Sequence, residues 1–175
     1  VSVGRLTKTK GQDVLVKSLN ILQERYGREP TLHLVGKGPF KTQLQELTRE
    51  LGLVENVNIH GYVSEEKKLD LMESSSLFVY GSKYESFGIV VLEAMAAGLP
   101  IIAIDHPAYH DFFVNEENGY LIENNPAKMA ENINDLFTND GKISSISDNN
   151  KEKIKDNYSW EEISLETKEI LESLS

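Results

Sequence analysis

Glu85-Ser86-Phe87-Gly88-Ile89-Val90-Val91-Leu92-Glu93-Ala94-Met95-Ala96-Ala97-Gly98-Leu99-Pro100-Ile101-Ile102-Ala103-Ile104 is the stretch whose pattern decides the fold. From Ile89 to Ala97 every residue is apolar except Glu93, which predicts a largely buried helix with one carboxylate in its middle. Ile101 to Ile104 is a short β-branched run of the kind that forms a buried strand. A helix followed by a strand is the step of a βαβ unit, and the rest of the chain repeats it. Further strands are predicted at Val1 to Gly4, Leu32 to Gly36, Val57 to Gly61, Leu77 to Tyr80 and Tyr120 to Ile122. Helices are predicted at Gln12 to Tyr26, Lys41 to Leu51, Ser64 to Glu73 and Ala127 to Phe137. The expected fold is therefore α/β, with a parallel sheet of about six strands and helices on both faces. Three strands end in glycine, so the chain turns sharply at their carboxyl ends, where open α/β sheets bind ligands. Residues 139 to 175 carry no strand signal and read as a helical tail. Within it, Asn139 to Asn150 is a polar loop or loose helix, and Tyr158-Ser159-Trp160-Glu161-Glu162 opens a last helix with Ser159 as N-cap.

The chain has 175 residues, enough for one domain with a sizeable core, and residues 1 to 175 read as a single unit. Its net charge of -10 argues against a nucleic-acid partner. The absence of cysteine removes a disulfide framework, a thiolate metal site and a cysteine nucleophile, and fits a reducing, cytoplasmic setting. No apolar run approaches the roughly 18 residues needed to span a bilayer. The opening Val1-Ser2-Val3-Gly4 has no initiator Met and starts inside a strand, as expected of a piece of a longer protein. The charge is unevenly spread. Residues 1 to 50 carry nine Lys or Arg against five Asp or Glu, whereas residues 51 to 122 carry three against eleven. An anionic ligand is most easily held by the basic first third.

The first strand end reads Gly4-Arg5-Leu6-Thr7-Lys8-Thr9-Lys10-Gly11. Arg5 offers a planar fork and Lys10 a point charge, which together suit a diphosphate; the alternative is a pair of solvated surface cations. The second, Gly36-Lys37-Gly38-Pro39, would let backbone amides approach a phosphate or a sugar, although a simple tight turn explains it equally well. It is neither a dinucleotide fingerprint nor a Walker loop. Glu93 must find a partner or a hydroxyl-bearing ligand if its helix is buried. Glu85 stands before the same helix, whose first amides near Gly88 and Ile89 form a mouth for an anion or hydroxyl. Read singly, Glu85 complements the helix dipole and Glu93 is a snorkelling core residue; together they point to a site.

Glu85 and Glu93 in an E-x7-E pattern, followed by Ala94-Met95-Ala96-Ala97-Gly98-Leu99-Pro100, with Val3-Gly4-Arg5-Leu6, Lys10-Gly11 and Val35-Gly36-Lys37-Gly38-Pro39 upstream, resemble the glycosyltransferase family 4 signature. This is the glycosyl transferases group 1 family, and the likeness, running from Val1 to about Phe137, is to the carboxyl-terminal, donor-binding half of a GT-B enzyme, a Rossmann-like domain. The resemblance implies a retaining transferase of the hexosyltransferase class, using a UDP or GDP sugar as substrate and no separate cofactor. The acceptor, a sugar or a lipid-linked molecule, would be held by an amino-terminal domain, so the isolated piece is expected to be inactive. By the same likeness Arg5 and Lys10 grip the diphosphate, Glu93 accepts from the ribose hydroxyls, and Glu85 faces the donor sugar as a positioning residue. Ser86, Phe87, Gly88 and Ile89 bind sugar and phosphate through their backbone. Gly36 and Gly38 lie against the donor, and Tyr62 and Val63 flank the base. Synthesis of cell-surface polysaccharide or glycoconjugate, on the cytoplasmic side of a membrane, is the expected setting.

After the fifth strand the family usually has two glycines and an acidic residue, whereas this chain has Asp105-His106-Pro107-Ala108-Tyr109-His110-Asp111. Asp111 can take the acidic position, but Pro107 and Ala108 replace the glycines, so no donor contact is assigned here. His106 and His110, with Asp105 and Asp111 beside them, raise a metal site as an alternative, and the proline between the histidines weighs against it. On the same fold a sugar phosphorylase or a nucleotide-sugar epimerase would use the same anion site. A non-enzymatic receiver-like domain would need aspartates clustered at the strand ends, where the first four strands offer Gly4, Gly36, Gly61 and Tyr80.

Overall fold

A computed structural model describes residues 1–158 of the chain. Along them run β1 (Ser2–Val3), α1 (Gln12–Tyr26), β2 (Leu32–Val35), α2 (Lys41–Glu50), β3 (Val57–Gly61) and α3 (Glu65–Glu73). These are followed by β4 (Phe78–Tyr80), α4 (Ile89–Ala96), β5 (Ile101–Ile104), β6 (Gly119–Ile122), α5 (Pro126–Phe137) and α6 (Asp140–Asn157). The strands predicted from apolar runs and the helices predicted from periodicity lie within a residue or two of these bounds.

All strand pairs are parallel. β1, β2 and β3 form one three-stranded sheet in that order, and β4, β5 and β6 form another. The two sheets stand edge to edge through Val1, whose carbonyl accepts from the Val79 amide at 2.9 Å and whose nitrogen donates to the Leu77 carbonyl at 2.8 Å. The spatial order is thus β3-β2-β1-β4-β5-β6, the doubly wound order, which reverses between β1 and β4 and opens a crevice at their carboxyl ends. A receiver-like domain orders its strands differently, and that alternative is set aside.

Each face of the sheets has its own apolar layer. On one, Leu34, Val79 and Ile102 meet Leu15 and Leu22 of α1, Leu44 of α2, and Met129 and Leu136 of α5. On the other, Phe78, Ile101 and Ala103 meet Met72 of α3 and Val91 and Met95 of α4. All four residues of β5 are buried, as expected of a strand covered on both faces. The helices start where the side chains allow. Ser64 caps α3 by accepting from the Lys67 amide at 3.2 Å, with Glu65 and Glu66 in the first turn favouring the helix dipole. Asn125 caps α5, and Pro126 takes its first position, one residue ahead of the predicted start.

The stretch read as a polar loop or loose helix is the first part of α6, capped by Asn139, whose Oδ1 accepts from the Lys142 amide at 3.1 Å. Several residues bind it to the domain: Ile146 enters the first apolar layer with Ile143 packed against it, and Asn150 is completely buried. The Asn150 side chain donates to the Leu99 carbonyl at 2.8 Å and the Asn118 carbonyl at 3.2 Å, and accepts from Asn118 Nδ2 at 2.8 Å. A buried asparagine with these bonds leaves no apolar periodicity in the sequence. Tyr158 is the C-terminal cap of α6, and the further helix expected with Ser159 as its N-cap lies outside the described residues. Asn150→Ala would strand the Leu99 carbonyl and part of Asn118 in the interior, for a loss of about 2–4 kcal/mol. Urea unfolding should show this loss, while the exposed neighbour Asn149→Ala changes stability by less than about 1 kcal/mol.

Candidate functional site

The first and fourth strand ends are brought together by two glycines placed back to back. A Cβ on Gly11 would stand 2.0 Å from the Gly81 carbonyl oxygen, and one on Gly81 would stand 2.3 Å from that of Gly11. Gly11 also sits in the left-handed region, with φ 63°, and the Lys83 amide reaches across to the Thr9 carbonyl at 3.0 Å. This contact sets Lys10 beside the residues that follow β4. Lys10 Nζ pairs with Glu85 Oε1, donates to Tyr80 Oη at 3.3 Å, and lies 3.4 Å from the Tyr84 carbonyl. Tyr80 in turn donates to the same Glu85 oxygen at 2.6 Å.

These groups line a cleft of about 540 Å³ between the ends of β1 and β4 and the start of α4. Arg5, Lys10, Glu85, Ser86, Phe87, Gly88, Ile89 and Glu93 all border it, together with Glu65, Lys68 and Tyr80. Arg5 is exposed, and its guanidinium forms no ion pair among the described residues. Gly88 caps α4 with φ 87° and no side-chain bond, so the first amides of the helix open on the cleft. A Cβ on Gly88 would lie 2.7 Å from the ring of Tyr109, which packs beneath. The loop after β5 thus supports the helix mouth from below. The Tyr109 hydroxyl is buried without a hydrogen-bond partner.

One expectation about α4 is corrected and another is met. The helix is not buried all round, because its first turn forms the cleft wall: Ile89 is 65% exposed, and only Val91, Ala94 and Met95 are buried. Glu93, expected to need a partner, has one and is only partly buried. Its side chain is 37% exposed and accepts from Lys68 Nζ at 3.0 Å, and Lys68 also holds Glu65 at 2.7 Å. Lys68 went unnoticed in the sequence, where nothing in Glu65-Glu66-Lys67-Lys68 separates one solvated charge from another.

Four residues assigned to the donor stand outside the lining of this cleft. Gly36 and Gly38 are required by packing: a Cβ on Gly36 would meet the Gly4 carbonyl at 1.9 Å, and one on Gly38 the Leu6 carbonyl at 2.2 Å. Val63 packs against the second apolar layer. Tyr62 is exposed, with Lys37 Nζ 5.3 Å from its ring centre. The histidines raised as metal ligands have other partners. His110 bonds Asp105 at 2.7 Å, and His106 Nδ1 accepts from the Ala108 amide at 3.1 Å. Among the described residues no three His, Asp or Glu side chains converge as metal ligands.

Burial alone would raise the Glu85 carboxyl, but the hydrogen bonds from Lys10 and Tyr80, with the Ser82 hydroxyl nearby, outweigh it and hold the group below the usual range. Burial and the Glu85 charge push the Tyr80 phenol well above its ordinary value, so it stays a donor. For Lys68, burial works to lower the ammonium, and its bonds to Glu65 and Glu93 more than compensate, leaving it raised.

An open doubly wound sheet with a charged cleft at its switch point defines a class of ligand-binding α/β domains. The chain belongs to the family of glycosyl transferases group 1, whose profile matches residues 1–153. It is 32% identical over 166 residues to an uncharacterized glycosyltransferase of Methanocaldococcus jannaschii, covering 94% of this chain and 42% of that protein. It is 31% identical to the poly(ribitol-phosphate) alpha-N-acetylglucosaminyltransferase of Staphylococcus aureus, covering 92% of this chain and 32% of that protein. Among solved structures, a TarM variant from S. aureus in complex with fondaparinux, alpha-GlcNAc-glycerol and UDP superposes with a TM-score of 0.85 at 30% identity, over 93% of this chain and 33% of that one. Anabaena HepE in complex with UDP superposes with a TM-score of 0.86 at 25% identity, over 98% and 48%. The chain thus spans less than half the length of these relatives, and its architecture is that of a GT-B glycosyltransferase domain.

Because the Glu85 carboxyl is depressed in the folded chain, the stability it adds is present above the ordinary glutamate value of 4.5 and is lost as pH falls through the depressed one. Glu85→Gln should therefore be less stable than wild type at pH 7, with the difference closing towards pH 3. Urea unfolding across that range checks this; a difference independent of pH would count against the electrostatic account.

Proposed function

We propose that this chain is the donor-binding half of a retaining glycosyltransferase that moves a sugar from a nucleotide diphosphate to an acceptor held by another domain. The observation that carries this reading is the gathering of Arg5, Lys10, Glu85 and Glu93 around one cleft at the amide-rich start of α4. Arg5 and Lys10 take the diphosphate. As the bond between the anomeric carbon and the phosphate oxygen breaks, the leaving group keeps the electron pair, and the two cations stabilise the charge that develops. Glu93 accepts from the ribose hydroxyls, with Lys68 fixing its position. Glu85 faces the sugar as an oriented anion, and the backbone of residues 86 to 89 meets sugar and phosphate oxygens. Tyr62, with Lys37 Nζ 5.3 Å from its ring centre, is read as flanking the base.

UDP is the favoured nucleotide, supported by its presence in the TarM and HepE complexes. Transfer into a cell-surface polymer or glycoconjugate is supported by the poly(ribitol-phosphate) activity in the name of the S. aureus relative. A cytoplasmic site of action fits the absence of cysteine. No helix among the described residues is long and apolar enough to cross a membrane.

Ligand-observed NMR on this chain with UDP, GDP, ADP and uridine tests the reading. UDP should bind at millimolar concentration or below, and Glu93→Ala should weaken it. Arg5→Ala should weaken UDP by about tenfold, the value of one charge-assisted hydrogen bond, with little change for uridine. Equal losses for UDP and uridine would remove Arg5 from the phosphates, and no binding by any nucleotide would overturn the reading.

A further inference from the structure

We infer that Tyr80 is a positioning residue whose hydroxyl keeps the Glu85 carboxylate in place when Lys10 leaves it for an arriving diphosphate. The inference rests on the donor-site reading above. Lys10 and Tyr80 both donate to a single atom, Glu85 Oε1, but they are different kinds of donor. Lys10 carries its charge on four rotatable carbons and divides its donors among Glu85, the Tyr80 hydroxyl and the Tyr84 carbonyl. A diphosphate brings more negative charge than one carboxylate, so it draws the ammonium away.

Tyr80 cannot follow. It ends β4, is 3% exposed, and packs its ring against Phe78 at 5.6 Å between centres. Its hydroxyl end lies under Gly4, where a side chain would already be in contact at 3.6 Å. When the ammonium leaves, Tyr80 has only the Glu85 carboxylate to bond, at 2.6 Å. The other ionisable groups facing Glu85 are few. Ser82 stands nearby with its hydroxyl donating to the Tyr84 carbonyl at 3.1 Å, and Tyr109 lies within its field with a high phenol value and no bond of its own. A rigid buried phenol therefore aims the carboxylate at the sugar in both states, while the flexible lysine changes partner.

The test follows the carboxyl carbon of Glu85 by ¹³C NMR through a pH titration of wild type, Tyr80→Phe, Lys10→Ala and the double variant. Tyr80→Phe keeps the ring and removes only the hydroxyl. It should raise the Glu85 midpoint by about one pH unit, the value of one hydrogen bond to a charge. In Lys10→Ala, which imitates the liganded state, the midpoint should stay at or below 4.5, the ordinary value. In the double variant burial acts with little opposition, and the midpoint should rise above it. An unchanged midpoint on removing the hydroxyl, with or without Lys10, overturns the role of Tyr80. If Tyr80→Phe does not fold, Lys10→Ala alone decides, since a midpoint well above 4.5 would show that Tyr80 does not hold the carboxylate. Adding UDP to wild type should shift the Lys10 ammonium signal and leave Glu85 titrating as in Lys10→Ala. If UDP binds without disturbing Lys10, the exchange of partners is wrong although the donor site stands. If UDP does not bind, the donor site falls, and the titrations without nucleotide still decide whether Tyr80 holds Glu85.

Discussion

The contact between Gly11 and Gly81 is the constraint on which the site depends. Two loops can approach to the distance of bonded backbones only where neither carries a Cβ, and these two loops follow the strands on either side of the order reversal. Their approach sets the cationic turn after β1 against the anionic segment after β4. A methyl group on either glycine would overlap the opposite carbonyl, and the loops would have to separate by about 1 Å to relieve it. The Lys10 pairing with Glu85 is thus a consequence of backbone packing more than of charge.

With the loops in place, the two lysines of the cleft are satisfied by its own carboxylates, and Arg5 alone among its cations forms no ion pair among the described residues. Lys10 is occupied by Glu85, and Lys68 by Glu93 and Glu65. Partly buried carboxylates with cationic and phenolic donors can remain ionised without a ligand, which is why Glu85 is depressed despite its burial. A ligand that takes either lysine therefore exchanges bonds in this cleft, and only Arg5 is open to it without exchange. The affinity available to it is the difference between two sets of charge-assisted bonds.

Much of this was legible in the sequence. Strand and helix positions followed from β-branched runs and apolar periodicity because burial on two faces imposes those patterns. The E-x7-E pattern located the cleft through Glu85 and Glu93. What the sequence withheld depends on contacts between distant segments. Tyr80 reads as one more buried strand residue, Lys68 as one more surface lysine, and Gly81 as a loop glycine. The burial of Glu93 was overestimated because composition does not show that one turn of an apolar helix borders a cleft. Gly36 and Gly38 looked like ligand glycines, yet close packing on Gly4 and Leu6 already requires them. In α6, the buried Asn150 made a packed helix look like a loop.

Three cations and three carboxylates border the cleft, so its formal charge is zero although the chain as a whole carries -10. Small anions that offer only charge, such as inorganic phosphate, gain little from such a cleft, because each lysine they attract leaves a carboxylate behind. A molecule that brings phosphates for the lysines and hydroxyls for the carboxylates is rewarded on both sides. On the donor-site reading proposed above, the neutrality of the resting cleft favours ligands in which acid and sugar are joined over simple anions.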